Sequence, residues 1–216
     1  MEVRRVMGIP VLILGESGSG KSASMRNFAP EQVGVFNVEG KPFPFRSKLR
    51  KKNTDDYNAI INGLLGMQTP SAVIDDAQYL MANEYMRRCK EMGYQKFTDI
   101  ATNFWMLVQT VIQRLPDDKI VYFLSHIERD ANGNEKIKTI GRMLDEKITV
   151  EGMFTVVLKT HVQDGRYTFV TQTNGQDTVK SPMGMFEDFE IDNDLAMVDR
   201  TIREYYGLDA RTGATA

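Results

Sequence analysis

The chain has 216 residues, with 27 lysines and arginines against 29 aspartates and glutamates, a net charge of −2 and one cysteine. This length allows a sizeable hydrophobic core in one domain, which we place at residues 1–208, followed by a disordered tail at 209–216. The near-neutral charge excludes binding of nucleic acid through an overall basic field. The single Cys89 excludes an internal disulfide framework and favours a reducing cytoplasm, and the longest apolar runs are too short to cross a membrane.

The first predicted element is a buried strand at 9–14, which leads into the segment GESGSGKS at 15–22. This segment fits the pattern G-x-x-x-x-G-K-[ST] of a phosphate-binding loop. Its glycines let the backbone curl so that N–H groups point at phosphate, Lys21 reaches the β- and γ-phosphates, and Ser22 ligates Mg²⁺. We therefore predict ATP and Mg²⁺ as cofactors. The predicted nucleotide-binding residues are Gly15, Glu16, Ser17, Gly18, Ser19, Gly20, Lys21, Ser22 and Ala23.

The remaining pattern alternates strands and helices. A short helix at 22–28, a strand at 33–38, a helix capped by Thr54 or Asp55, and a strand at 72–74 come first. Helices at 76–92 and 97–115, a strand at 120–124, two strands around the hairpin turn Asp164-Gly165, and a helix at 194–206 follow. This order predicts an α/β fold with a mostly parallel sheet flanked by helices and a C-terminal antiparallel β-hairpin extension.

Two carboxylates follow the predicted strand at 72–74. A carboxylate at the end of a strand can hold the Mg²⁺ shell beside Ser22, and we assign that role to Asp75. Asp76 either supports Asp75 or caps the next helix.

Two other predicted strands end in residues that can take part in hydrolysis. Glu39 follows the strand at 33–38, where a carboxylate can orient or deprotonate the attacking water. A solvated loop glutamate is the alternative. His126 follows the strand at 120–124, where a polar side chain can sense the γ-phosphate and relay its loss.

The runs GESGSGKS, FNVEG, VIDD and FLSHIE resemble, in content and order, the core of RecA-type recombinases. The runs VEGKPFPF at 38–45, FLSHIE at 123–128 and DTVKSP at 177–182 more closely resemble compact phage-encoded ATPases of the RecA-like Sak group, which are associated with single-strand annealing and recombination. The resemblance covers most of residues 8–190. It implies a RecA-like core in the host cytoplasm, with Glu39 activating water and Asp75 ending the metal-binding strand. His126 stands where that family has a glutamine.

The resemblance also implies contacts with single-stranded DNA and with a neighbouring subunit. Residues 128–142 follow the expected sensor, and the cations that would contact DNA phosphates there are Arg129, Lys136, Lys138 and Arg142. Lys180 matches the position of lysines that reach a neighbour's γ-phosphate, so hydrolysis is expected to depend on a homo-oligomer. A single-stranded-DNA-binding protein is a further expected partner.

The same residues leave other interpretations open. Asn132-Gly133 is also typical of a hairpin turn with solvated charges, Lys180 of a surface lysine, and the basic run at 46–52 of either a DNA contact or a solvated face. Nucleotide and small-molecule kinases also use a phosphate-binding loop, and this run offers them Arg46 and Arg50. A third hypothesis is an ATP-dependent interaction module without turnover.

Overall fold

A computed structural model describes residues 7–208, apart from the side chains at 145 and 146. Within these residues the strands are β1 (Ile9–Gly15), β2 (Val33–Asn37), β3 (Arg50–Asn53), β4 (Ser71–Asp75), β5 (Ile120–Arg129), β6 (Glu135–Ile137), β7 (Val156–Gln163), β8 (Arg166–Val170) and β9 (Glu190–Asp192). The α-helices are α1 (Tyr57–Leu65), α2 (Tyr79–Arg87), α3 (Gln95–Arg114) and α4 (Leu195–Tyr206). The predicted tail at 209–216 lies outside the described residues.

The strands form one sheet in the order β3-β2-β4-β5-β1-β7-β8-β9, with β6 paired to β5 outside this path. The pairs from β3 to β7 are parallel, whereas β8, β9 and β6 each run antiparallel to the neighbour they join. The prediction of an α/β fold with a mostly parallel sheet and a C-terminal antiparallel hairpin is therefore confirmed. Because the parallel strands share one direction, the loops after β1, β2 and β4 emerge at one edge of the sheet.

Alternating strand residues divide the core between the two faces of the sheet. Leu12 and Leu14 of β1 pack with α1, α2 and α3 on one face. Val11 and Ile13 pack on the other face with α4 and with the short 3₁₀ helix Ser22–Asn27. Both faces of β1 are thus buried, which is why its sequence is a continuous apolar run.

Several predicted boundaries need correction. The prediction that Thr54 or Asp55 caps α1 is wrong, because Asp56 accepts the capping hydrogen bond from the Ala59 N–H at 2.7 Å. Strand β5 continues to Arg129, so His126 lies inside it and does not follow its end. The helical pattern at 97–115 also predicts Trp105 as a core residue, but its side chain is 39% exposed. Tertiary packing, which a local pattern does not contain, decides all three.

Two short edge strands were not predicted. β3 carries the sequence RKKN and pairs with β2, while β9 carries EID and pairs with β8. Their residues are mostly exposed, so neither shows the apolar run or alternation that marks a strand. Charged side chains on edge strands also hinder pairing with other chains.

A buried ionic network fixes α4 to the end of the sheet opposite the phosphate-binding loop. The Arg203 Nε donates to Asp199 Oδ2 at 2.7 Å, and a second guanidinium nitrogen donates to Ser71 Oγ at 2.8 Å. The Tyr122 hydroxyl donates to Asp199 Oδ1 at 2.9 Å. The charges of Asp199 and Arg203 are both buried, so each is favourable in the folded protein only because the other lies beside it.

We expect the substitution Asp199→Ala to lower the free energy of unfolding by about 3–5 kcal/mol, because it leaves the buried Arg203 charge without its anionic partner. The matched control is Arg200→Ala on the exposed face of the same helix, for which a change within about 0.5 kcal/mol is expected. Urea denaturation followed by circular dichroism measures both. Equal effects of the two substitutions would show that the network does not hold α4.

Candidate nucleotide-binding site

The phosphate-binding loop follows β1 directly and is attached to β7 through side chains. Thr160 Oγ1 donates to the Leu14 carbonyl at 3.2 Å and contacts Ser19 Oγ at 2.6 Å. A Cβ atom on Gly15 would overlap Thr160 Oγ1, so only glycine allows this close approach. Gly18 and Gly20 take φ values of 76° and 93°, which bend the loop tightly. Thr160 is a positioning residue that the sequence analysis missed.

The helix after the loop is shorter than a phosphate-binding helix usually is. It is a 3₁₀ helix of six residues, Ser22–Asn27. The predicted position of this helix is confirmed, but so short a helix has a small dipole. If the loop binds a phosphate as predicted, its own N–H groups and Lys21 would therefore supply most of the attraction.

Lys21 is folded back onto the loop. Its Nζ donates to the Gly15 carbonyl at 3.0 Å and to the Glu16 carbonyl at 2.7 Å, and the residue is only 6% exposed. Burial lowers the pKa of Lys21 to about 8, although the charges of Asp76 and Asp75 oppose that shift. The ammonium therefore lies in a poorly hydrated position, where an added phosphate charge would stabilise it.

Ser22 and Asp75, the two residues predicted to hold Mg²⁺, contact each other directly. The Ser22 Oγ donates to Asp75 Oδ1 at 2.7 Å. Burial raises the pKa of Asp75 to about 6, and the hydrogen bond from Ser22 only partly offsets it. A hydroxyl and a carboxylate at this distance are hard oxygen ligands of the kind that Mg²⁺ prefers.

Asp76 lies in the same cleft and does not cap a helix. α2 begins at Tyr79 and its N-cap, Gln78, makes no side-chain capping bond. Asp76 takes a left-handed φ of 60°, and its carboxylate lies 3.6 Å from both Lys41 Nζ and His126 Nε2. Burial alone would raise the pKa of Asp76, but His126 and Lys41 lower it below its ordinary value.

Glu39 follows β2, two strands from β5. It lies close to Asp75 because the Val38 N–H donates to the Asp75 carbonyl at 3.2 Å. The Asn83 amide donates to Glu39 Oε1 at 3.0 Å, and Lys41 Nζ lies 4.0 Å from Oε2. Both carboxylate oxygens of Glu39 therefore face polar groups of the protein.

His126 is level with the phosphate-binding loop, because it pairs with Gly15 in the register of β5 and β1. Its ring packs edge-on against Tyr79, with the centroids 6.1 Å apart. Its backbone carbonyl accepts from the Lys138 N–H at 2.9 Å. The histidine thus joins the cleft to the chain that returns from β6.

A polar cleft of about 430 Å³ connects these groups. It is lined by loop residues 17–18 and 20–23 together with Lys41, Pro44, Asp76, His126 and Tyr167. Tyr167 of β8 is 46% exposed, and its ring packs so closely on Gly20 that a Cβ there would lie 2.8 Å from Cδ1. Neither Lys41 nor Tyr167 was predicted as a site residue: Lys41 lies in the run VEGKPFPF but received no role, and Tyr167 belongs to no recognised motif.

The structure separates the four cations predicted to contact DNA. Asn132-Gly133 forms the turn of the β5–β6 hairpin, so the hairpin interpretation of that dipeptide is confirmed. Arg129 contacts Glu135 at 3.0 Å and Glu16 at 3.4 Å, on the side of the phosphate-binding loop. Lys136 instead pairs with Glu128 across the ladder at 3.7 Å.

The remaining predicted cations also lie apart. Lys138 lines a small cavity with Tyr79 and His126, and exposed Arg142 precedes the helical turn Met143–Lys147. Lys180 is exposed and bonded through its backbone to Val157, at 2.8 and 2.9 Å. It does not line the described cleft of its own chain.

Comparison with protein-family models gave no match, and comparison with curated proteins gave none either. Within residues 7–208, no helix combines the length and apolarity needed to cross a membrane. Because these comparisons gave no match, the residues of the site are the basis for assigning its chemistry.

We expect Asp75→Asn to raise the free energy of unfolding at pH 7.5 by about 1–2 kcal/mol, because the amide replaces a carboxylate whose charge is unfavourable to bury. Folding raises the pKa of Asp75 from 3.8 to about 6. Below pH 3.8 the side chain is protonated in both states and does not destabilise the wild type. As the pH rises through 6, the folded protein must bury the charged form, which lowers the free energy of unfolding. The gain should therefore disappear near pH 4.

Asp76→Asn is the matched control with the opposite sign. Because folding lowers the pKa of Asp76, its charged form stabilises the protein above the unfolded value of 3.8, and the stabilisation is lost as the pH falls. This variant should be less stable than the wild type at pH 7.5. Thermal unfolding at pH 4 and 7.5 compares the two, and a loss of stability in Asp75→Asn at pH 7.5 would contradict the assigned burial cost.

Proposed function

We propose that this chain is a RecA-like ATPase that acts with single-stranded DNA in phage recombination or annealing, and that subunit assembly completes its site. The observation that carries the proposal is the contact between Ser22 and Asp75 at 2.7 Å beside the buried Lys21. These three side chains supply the ligands and the cation that a Mg²⁺-bound triphosphate needs.

A carboxylate beside the cleft could activate water. Glu39 follows β2, which neighbours β4 on the side away from β1, and its Oε1 accepts a hydrogen bond from the Asn83 amide. In the proposed reaction, water attacks the γ-phosphorus and gives its proton to Glu39. The bond between that phosphorus and the β,γ-bridging oxygen breaks, and its electron pair remains on the oxygen of the departing ADP.

A link from the nucleotide to DNA is supported by the continuity of β5. The strand runs from the core through His126 in the cleft to Arg129, the last paired residue before the turn of the β5–β6 hairpin. The returning chain is hydrogen-bonded to the His126 carbonyl through Lys138. A displacement of His126 on loss of the γ-phosphate would therefore move the hairpin, where DNA contacts are proposed.

Two alternatives make different demands on the cleft. A kinase acting on a phosphorylated acceptor is expected to place arginines over it, but the described lining of the cleft includes no arginine, and Arg50 lies in edge strand β3. A non-catalytic interaction module needs no water-activating group, yet Glu39 is held beside the metal-binding pair. Both observations favour hydrolysis.

The decisive experiment is steady-state ATP hydrolysis with and without single-stranded DNA, over a range of protein concentrations and at two salt concentrations. We expect DNA to stimulate turnover, the stimulation to rise steeply with protein concentration, and salt to weaken it. A rate of ATP hydrolysis that is the same with and without single-stranded DNA would overturn the DNA-linked function. Phosphate transfer to a nucleoside monophosphate without hydrolysis would favour the kinase.

The substitution Glu39→Gln tests the catalytic assignment. We expect it to lower kcat about 100-fold to 10,000-fold while nucleotide affinity stays close to wild type, because the amide keeps the shape but accepts no proton. Glu31→Gln, at an exposed position outside the cleft, is the matched control and should retain full turnover. Wild-type turnover in Glu39→Gln would show that another group activates the water.

A further inference from the structure

Lys41 is a cation of the cleft that the proposed mechanism leaves without a role. It follows β2 by four residues and lines the cleft together with Lys21, Ser22 and Asp76. Its side chain is 60% exposed, in contrast to the buried Lys21. The two lysines therefore face the same space from different sides and with different freedom to move.

The backbone of Lys41 is fixed even though its side chain is exposed. Gly40 takes a φ of 68°, and Pro42 restricts Lys41 to an extended conformation. The Lys41 carbonyl accepts from Asn37 Nδ2 at 2.6 Å and from Lys51 Nζ at 3.1 Å. A lysine with an anchored backbone and a long flexible side chain can exchange partners without any movement of the main chain.

The partners of the Lys41 ammonium are two of the carboxylates around the proposed hydrolysis site, Asp76 and Glu39. Its Nζ lies 3.6 Å from Asp76 Oδ2 and 4.0 Å from Glu39 Oε2, above the Tyr79 ring at 5.2 Å from the centroid. Neither ion pair is as short as a direct charge-assisted hydrogen bond, for which about 2.7–2.9 Å is usual. The ammonium is therefore held loosely between them.

From this geometry we infer that Lys41 contacts the γ-phosphate from within the same chain and makes the cleft prefer nucleoside triphosphates to diphosphates. The inference rests on the proposed function and names a further catalytic residue of that site. A γ-phosphate bound at Lys21 and Ser22 brings more negative charge than either carboxylate, so it draws the ammonium away from Asp76 and Glu39.

This exchange has a direct consequence for the reaction. The ammonium stabilises the charge on the γ-phosphoryl oxygens as the bond to the bridging oxygen breaks. A diphosphate, which lacks the third phosphate, leaves Lys41 on the two carboxylates.

The test compares the binding of ADP and of the non-hydrolysable triphosphate AMP-PNP, each with Mg²⁺, by isothermal titration calorimetry. In the wild type we expect AMP-PNP to bind more tightly. Lys41→Ala should weaken AMP-PNP binding about 10-fold to 100-fold and change ADP binding less than about 2-fold. Lys41→Arg should keep most of the preference. Lys48→Ala, an exposed lysine of the same segment outside the described lining, should behave as wild type.

The outcomes separate this inference from the proposed function. An unchanged triphosphate preference in Lys41→Ala overturns the role of Lys41, and so does an equal loss of affinity for both nucleotides, which would show that the lysine only maintains the structure of the cleft. If the wild type discriminates through Lys41 but shows no turnover with DNA, the contact stands and the hydrolytic function falls. If the wild type binds neither nucleotide, both fall.

Discussion

The hydrogen bond between Ser22 and Asp75 joins two strands that are not neighbours in the sheet. β5 lies between β1, which leads into the phosphate-binding loop, and β4, which ends in Asp75. The contact therefore spans β5 and requires β1 and β4 to end at nearly the same level, while β5 continues between them. The parallel register of both strands with β5 provides this, since Gly15 is level with His126 and Ile74 with Phe123. The candidate site exists only because the sheet aligns these ends.

The same alignment concentrates charge where water is scarce. Burial disfavours the charged forms of both Lys21 and Asp75, whereas the more accessible Asp76 is stabilised as an anion by His126 and Lys41. The cleft thus carries an electrostatic cost that the proposed Mg²⁺-triphosphate would relieve, because it adds both a dication and phosphate charge. The stability needed to bear this cost comes from the apolar core on both faces and from the ionic network around Arg203 at the opposite end of the sheet.

Much of the fold was predictable because short stretches of adjacent residues specify its central elements. The apolar run of β1, the glycines of the loop, the Asp164-Gly165 hairpin and the Asp194 cap of α4 all carry their structure in a few adjacent residues. Other features depend on distant partners. β3 and β9 are strands only because β2 and β8 lie beside them, and β5 extends past His126 because β6 returns to pair with it.

The sequence by itself determined the phosphate-binding loop, the carboxylates that follow the strands and the α/β order of the chain, because each is a pattern of neighbouring residues. Only the tertiary structure decided which of these residues meet. It turned Asp76 into the cleft through a left-handed backbone, packed Thr160 and Tyr167 against the loop from remote strands, and brought Lys41 between two carboxylates. Such contacts are set by strand order and register, which pair residues far apart in the chain and leave no local signal in it.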